Sequence, residues 1–192
     1  MARPSRKSKA LESLSGADAL SILKMLAERD SRFAGAIDAA AHELLSDVDA
    51  ERLSAEVKDA LECLEPEDVW DHSGRTRDGY VEPSEAAWEV FDEALQPFRE
   101  EMEKYQKLAM TKEADRHCQG LLKGIYDFDE ESATQYKEWA MDAPAEYFGL
   151  VLKDWKALHK ERVPLSKMQD FIEKQCPAYA HFAVRILRSK SG

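Results

Sequence analysis

Apolar residues recur at intervals of three and four along almost the whole chain. No stretch sustains the period of two that marks a half-buried strand. The pattern predicts one helix after another. Ser15, with Asp18 three residues on, makes a capping-box start for a first helix, whose face is Leu20, Leu23, Leu26 and Ala27. Asp30 caps a second, in which Phe33, Ile37, Ala40 or Ala41, and Leu44 keep the phase. So short a link predicts an antiparallel hairpin. A third helix begins near Asp49, carries Leu53, Val57, Ala60, Leu61 and Leu64, and is stopped by Pro66.

From Ser84 the pattern is cleanest. Trp88, Phe91, Leu95, Phe98, Met102, Tyr105 and Ala109 alternate steps of three and four, the seam of a helix that packs lengthwise on a partner. Pro97 lies inside it. A proline there removes one hydrogen bond and crowds the preceding turn, so the segment is a kinked long helix or two helices; the kept phase favours the kink. Thr111 caps the next helix, with Ala114, Cys118, Leu121, Leu122 and Ile125 in line. Gly120 and Gly124 sit one turn apart there, either for close approach of another backbone or as a hinge. A turn is expected at Asp127-Phe128-Asp129, then a short helix with Tyr136, Trp139 and Ala140. Pro144, Pro164 and Pro177 each open a further helix. Their apolar stripes include Phe148, Val151, Leu152, Trp155 and Leu158, then Leu165, Met168, Phe171 and Ile172, then Tyr179, Phe182, Ile186 and Leu187. The fold class is therefore all-α. About nine helices form either a helical-repeat-like array or an irregular bundle.

One long stretch breaks the pattern. Residues 66–83 show no periodicity, and a long irregular segment inside a compact domain is usually functional or disordered. It concentrates Trp70, Asp71, His72, Arg75, Arg77 and Tyr80, with Gly74 and Gly79 as turn formers. The two arginines suit a carboxylate or phosphate, and Asp71, His72 and Asp78 suit a metal or acid–base work. The plainer reading is that Trp70 and Tyr80 pin the loop to the core while its charges pair among themselves. These six residues are the candidate binding site; none is assigned as catalytic or as a metal ligand.

Composition narrows the setting. The chain has 192 residues, 44% of them hydrophobic and 34% charged. That is enough for one helical domain over residues 11–188, between a basic, disordered arm at 1–10 and a frayed tail at 189–192. The arm carries Arg3, Arg6, Lys7 and Lys9, lacks an apolar core, and does not read as a secretory signal. No run is long and apolar enough for a membrane span. Cys63, Cys118 and Cys176 are odd in number and far apart, which fits a reducing, cytoplasmic setting better than a disulfide framework. The net charge of −11 is concentrated in residues 43–103, where 20 acids face 5 bases. Such a surface repels phosphate backbones and anionic lipids, which leaves only the arm for nucleic acid.

Three segments resemble a known group. The stretch RPSRKSKALESLSGADALSILKMLAERDSRF resembles a basic linker and two helices of bacterial SWIM-type zinc-finger proteins. GYVEPSEAAWEVFDEALQPF and TKEADRHCQGLLKGIYDFDEES are similar to the helical region of the same group. The resemblance implies a helical, HEAT- or TPR-like interaction region. It carries over no zinc site, because the finger needs a C-x-C…C-x-H set and the three cysteines are dispersed.

No other chemistry stands out. There is no C-x-x-C, H-E-x-x-H or E-x-x-H, no glycine-rich phosphate loop and no G-x-S-x-G. His117 and Cys118 are adjacent, so on a helix they point about 100° apart. Cys118 reads as core, as do Trp88, Trp139 and Trp155, while His42, His159 and His181 read as isolated structural histidines. The expectation is a protein-interaction or scaffold module, without cofactor or metal and more a binder than an enzyme. It would take another protein, or a second copy of itself, as partner. An enzyme or small-molecule or metal binder at 66–83, and a nucleic-acid regulator using the arm, are the alternatives.

Overall fold

The structure, a computed structural model, describes residues 13–75, 77, 79–159 and 162–189; the side chains of residues 158 and 162–164 are left aside. The basic arm at 1–10, Asp78 and the tail at 190–192 lie outside the described residues. Contacts divide the chain into two compact units, Met1–Asp47 and Val48–Gly192.

The first unit is a pair of helices, α1 (Gly16–Arg29) and α2 (Ser31–Leu45). The capping box forms as the spacing predicts. The Asp18 N–H donates to Ser15 Oγ at 3.2 Å, and the Ser15 N–H donates back to Asp18 Oδ2 at 3.2 Å. Asp30 alone joins the helices and serves both: its N–H closes on the Leu26 carbonyl, and its carboxylate accepts from the Arg32 N–H at 2.9 Å. No residue of either helix is buried, and Leu20, Leu23, Met25, Phe33 and Leu44 stay exposed.

The second unit holds α3 (Ala50–Glu62), α4 (Pro66–His72), a hairpin of β1 (Gly74–Arg75) and β2 (Tyr80–Val81), α5 (Pro83–Lys107) and α6 (Thr111–Glu131). A 3-10 turn at Gln135–Trp139, α7 (Ala143–Leu158), α8 (Arg162–Gln175), a 3-10 turn at Pro177–Tyr179 and α9 (Ala180–Arg188) complete it. The fold is all-α, with nine α-helices and one small hairpin among the described residues. None of these helices is long and apolar enough to cross a membrane.

Helix α6 is the axis of the core. His117, Cys118, Leu121, Leu122, Ile125 and Phe128 are buried along it. Its tightest neighbour is α3, and Gly120 and Gly124 explain why. A Cβ on Gly124 would lie 2.6 Å from Val57 Cβ, and one on Gly120 would lie 2.7 Å from the Ala50 carbonyl oxygen. The glycines therefore serve close approach, at the cost of about 0.5–1 kcal/mol each in helix propensity. Polar pairs flank the crossing: Ser54 Oγ donates to Asp127 Oδ2 at 3.4 Å, and Lys58 Nζ pairs with Glu131 Oε2 at 2.6 Å.

Helix α5 runs unbroken through Pro97. Phe91, Leu95, Met102 and Tyr105 of its seam are buried, whereas Trp88 and Phe98 are half-buried against the core. Ala109 is not on the seam: it sits after the helix at φ 55°, a left-handed backbone that reverses the chain.

Several boundaries differ from the sequence expectation. Pro66 does not end α3, which stops at Glu62; it opens α4 at the position where a missing N–H costs nothing. Thr111 is the first residue of α6 rather than its cap. The turn expected at Asp127-Phe128-Asp129 is helix, because Phe128 continues the apolar stripe and Asp127 is held by Lys123 one turn back, at 2.6 Å. The helix expected around Tyr136 is only a 3-10 turn, fixed by Tyr136 Oη on the Ala87 carbonyl and Lys137 Nζ on the Asp129 carbonyl.

Candidate functional site

The described residues of 66–83 are folded rather than irregular. Asp68 accepts the Glu65 N–H at 2.8 Å and so closes the start of α4. Val69 is wholly buried and anchors that helix to the core. A helix of seven residues has one buried position to show, which is why it leaves no period in the sequence. Beyond it, Gly74 (φ 99°) and Gly79 (φ 150°) take the positive φ that L side chains avoid, and between them the chain reverses. The strands pair antiparallel, Gly74 with Val81 and Arg75 with Tyr80.

The six candidate residues do not converge. Trp70 is 53% exposed, its ring edge-on to Trp139 with centroids 5.0 Å apart. Such a half-covered aromatic pair adds about 0.5–1.5 kcal/mol and leaves a face open. Tyr80 is 63% exposed, so the idea that it pins the segment to the core fails; Val69 and Val81 hold it instead. His72 Nδ1–H donates to the Asp68 carbonyl at 2.8 Å, and its Nε2 faces Glu93 Oε2 at 3.6 Å. Its polar atoms are thus turned to its own helix and to α5. Asp71, Arg75 and Arg77 are exposed, and no ion pair or hydrogen bond joins the arginine side chains to any described residue. The arrangement presents two aromatic faces and two free guanidinium groups to solvent, without a cluster of acid, base and nucleophile. Among the described residues no group of three or more His, Cys, Asp or Glu is placed to hold a metal ion.

Two arrangements were not read from the sequence. The first is a polar knot between α6 and α7. Asp115 Oδ1 accepts Trp155 Nε1–H at 2.8 Å and faces His159 Nε2 at 3.0 Å. His159 stacks on Trp155, centroids 4.2 Å apart, and its Nδ1–H donates to the Trp155 carbonyl at 2.9 Å. The Asp115 carboxylate raises the His159 pKa above the ordinary imidazole value, against the opposing effect of burial. His117 is the converse: burial lowers its pKa, and its Nε2–H donates to the Phe98 carbonyl at 2.8 Å. His159 Nδ1 is committed to the Trp155 carbonyl, whereas the buried Nε2 makes no hydrogen bond and is held only within ion-pair distance of Asp115. Cys118 nearby is wholly buried with its thiol pKa pushed up by burial. This knot is structural.

The second is open space between helices. A cleft of about 400 Å³ lies between α5 and α7, where Arg99 is neutralised by Asp92 at 2.7 Å and Asp154 at 3.7 Å. A groove of about 530 Å³ lies between α7 and α9. The i, i+4 spacing of Trp155 and His159 could have signalled the knot, but Asp115 and the groove have no local signature.

Compared with known proteins, the chain matches no family model, no curated protein and no solved structure.

Proposed function

We propose that this chain is a non-catalytic protein-interaction module whose contact surface is α4 and the β1–β2 hairpin. The observation that carries the reading is Trp70: a large aromatic ring more than half exposed, buttressed by Trp139, beside the exposed Tyr80, Arg75 and Arg77. Trp, Tyr and Arg dominate the binding energy of interfaces, and an exposed Trp that is already oriented loses little entropy on docking. The arginines also stand out in a segment rich in acids, so a partner carboxylate would meet charges that no described residue competes for. The resemblance to the helical region of SWIM-type proteins supports the same kind of role.

The test is a quantitative affinity capture from native lysate with the wild-type chain, Trp70→Ala and the double variant Arg75→Ala/Arg77→Ala, read by mass spectrometry. A partner that depends on this surface should be depleted about tenfold or more in both variants, since hot-spot truncations cost about 2 kcal/mol or more. Equal recovery by fully folded variants refutes the assignment.

A further inference from the structure

The groove between α7 and α9 has a built character of its own. Gly149 opens its floor: a Cβ there would meet Ile186 Cδ1 at 3.5 Å and Phe182 at 4.0 Å, so those two apolar side chains face the gap the glycine leaves. Lys156, buried beneath, donates to the Ile186 carbonyl at 2.6 Å and the Ser189 carbonyl at 2.5 Å. Moving along α7 from Gly149 to Lys156 thus follows α9 from Phe182 to Ser189, and the two helices run in the same sense here. Lys153 and Arg185 line the end toward the helix C-termini, and the side chain of neither makes an ion pair or hydrogen bond with any described residue. Glu146 lines the other end, about 10 Å away along α7. The wider segment is also distinct: residues 153–190 hold 9 bases against 4 acids in a chain of net charge −11.

An apolar floor with unpaired cations at one end is a surface for an anion that also carries hydrocarbon. The groove is open along its length and walled by two helices, the shape that receives an amphipathic helix. Nucleic acid would gain nothing from Phe182 and Ile186, and the acidic remainder of the chain would repel it. We propose that the α7–α9 groove docks an acidic amphipathic helix of a partner protein. Its apolar side chains lie over Gly149 against Phe182 and Ile186, and its carboxylates meet Lys153 and Arg185. This surface is separate from the α4–hairpin surface, so either assignment can fail without the other.

The experiment is a titration of the isotope-labelled full chain, followed by NMR. Three probes are used: a synthetic amphipathic helix with leucines on one stripe and glutamates elsewhere, its lysine-for-glutamate counterpart, and mixed phosphatidylglycerol–phosphatidylcholine vesicles. The expected result is saturable shifts at Gly149, Phe182 and Ile186 with the glutamate helix. Affinity should fall about tenfold or more in Lys153→Glu/Arg185→Glu and be unchanged in Arg75→Ala/Arg77→Ala. Both rim residues are exposed, and Lys153→Gln/Arg185→Gln replaces the reversal should it perturb folding. The proposal is overturned by the absence of saturable shifts at these residues. Equal binding of the lysine helix, undiminished affinity in the rim variant, or the same shifts from vesicles alone also overturns it.

Discussion

Adding a single methyl group at Gly124 tests the packing that organises the second unit. A Cβ there would sit 2.6 Å from Val57 Cβ, 2.7 Å from the Ser54 carbonyl oxygen and 2.8 Å from Val57 Cγ1. Carbon atoms in favourable contact are about 3.5–4.0 Å apart, so the methyl is roughly 1 Å too close. Rotating a side chain does not relieve this, because Val57 Cβ and the Ser54 oxygen are fixed to the α3 backbone; the helix itself must move. Overpacking of this kind costs about 1–3 kcal/mol. Alanine returns about 0.5–1 kcal/mol of helix propensity; the range left is about 0–2.5 kcal/mol, and the fixed backbone contacts place this site toward its upper half. Gly120→Ala meets the Ala50 oxygen at 2.7 Å and Leu53 at 2.9 Å, and should cost a similar amount. The double variant should cost less than the sum, since one displacement of α3 relieves both clashes. Gly149→Ala is the control: its Cβ would make ordinary contacts at 3.5 and 4.0 Å, so propensity alone should act and stabilise by about 0.5–1 kcal/mol. Urea unfolding followed by circular dichroism reads all four. A Gly124→Ala midpoint at or above wild type refutes the argument, since α3 would then be free to yield.

Phe91→Ala removes a wholly buried ring packed on Phe128 and Tyr147, and should cost about 3–5 kcal/mol; Phe98→Ala, half-buried, should cost less. An unmoved melting temperature for Phe91→Ala would show that the seam is not core. Lys156→Met takes the buried donor from the Ser189 carbonyl and leaves the Ile186 carbonyl only the Ser189 donors, and should destabilise by about 1–3 kcal/mol in denaturant; a neutral effect would show that α9 needs no cationic cap. The two histidines should shape the pH profile with opposite sign. The folded pKa of His159 is raised, so its contribution is complete below the ordinary value of about 6.5 and lost as pH rises through the folded value. His117 is lowered, so its neutral form is favoured in the fold and stability falls as pH drops below about 6.5. Unfolding midpoints of His159→Gln and His117→Gln between about pH 5 and pH 8 check this, and profiles parallel to wild type would refute it.

Helices long enough to repeat an apolar period were legible, and so were caps that act within four residues. Ser15 with Asp18, and Asp30, cap where the spacing places them, and a helix begins near Asp49 as expected, because each device is local. Pro66 and Thr111 each sit a position or so from the boundary expected of them, whereas the larger failures turn on partners outside the segment itself. Asp127 and Asp129 look like a turn until Lys123, Tyr179 and Lys137 satisfy them within a helix and at its flank. Tyr136 looks like a helical core residue, yet the Ala87 carbonyl on α5 holds it in a 3-10 turn. The spacing of Gly120 and Gly124 suits either close approach or a hinge, and only the placement of Ala50, Ser54 and Val57 opposite them decides for close approach.

The candidate site was legible only as composition. Residue types placed Trp70, Tyr80, Arg75 and Arg77 together, and chain proximity keeps them in one segment, but it did not show that His72 would turn to Glu93 and the Asp68 carbonyl. In an all-helical chain a surface is assembled from faces of helices that are remote in sequence, so no motif spans it. Lys153 and Arg185 meet across two helices, and Asp115 reaches His159 from a third. What survives without any register is charge summed by segment. The net value of −11 averages an acidic stretch at 43–103 with a basic one at 153–190, and the basic stretch is where unpaired cations border an apolar floor. Charge summed by segment can be read without the structure, because long-range fields add, whereas short-range contacts need every partner in place.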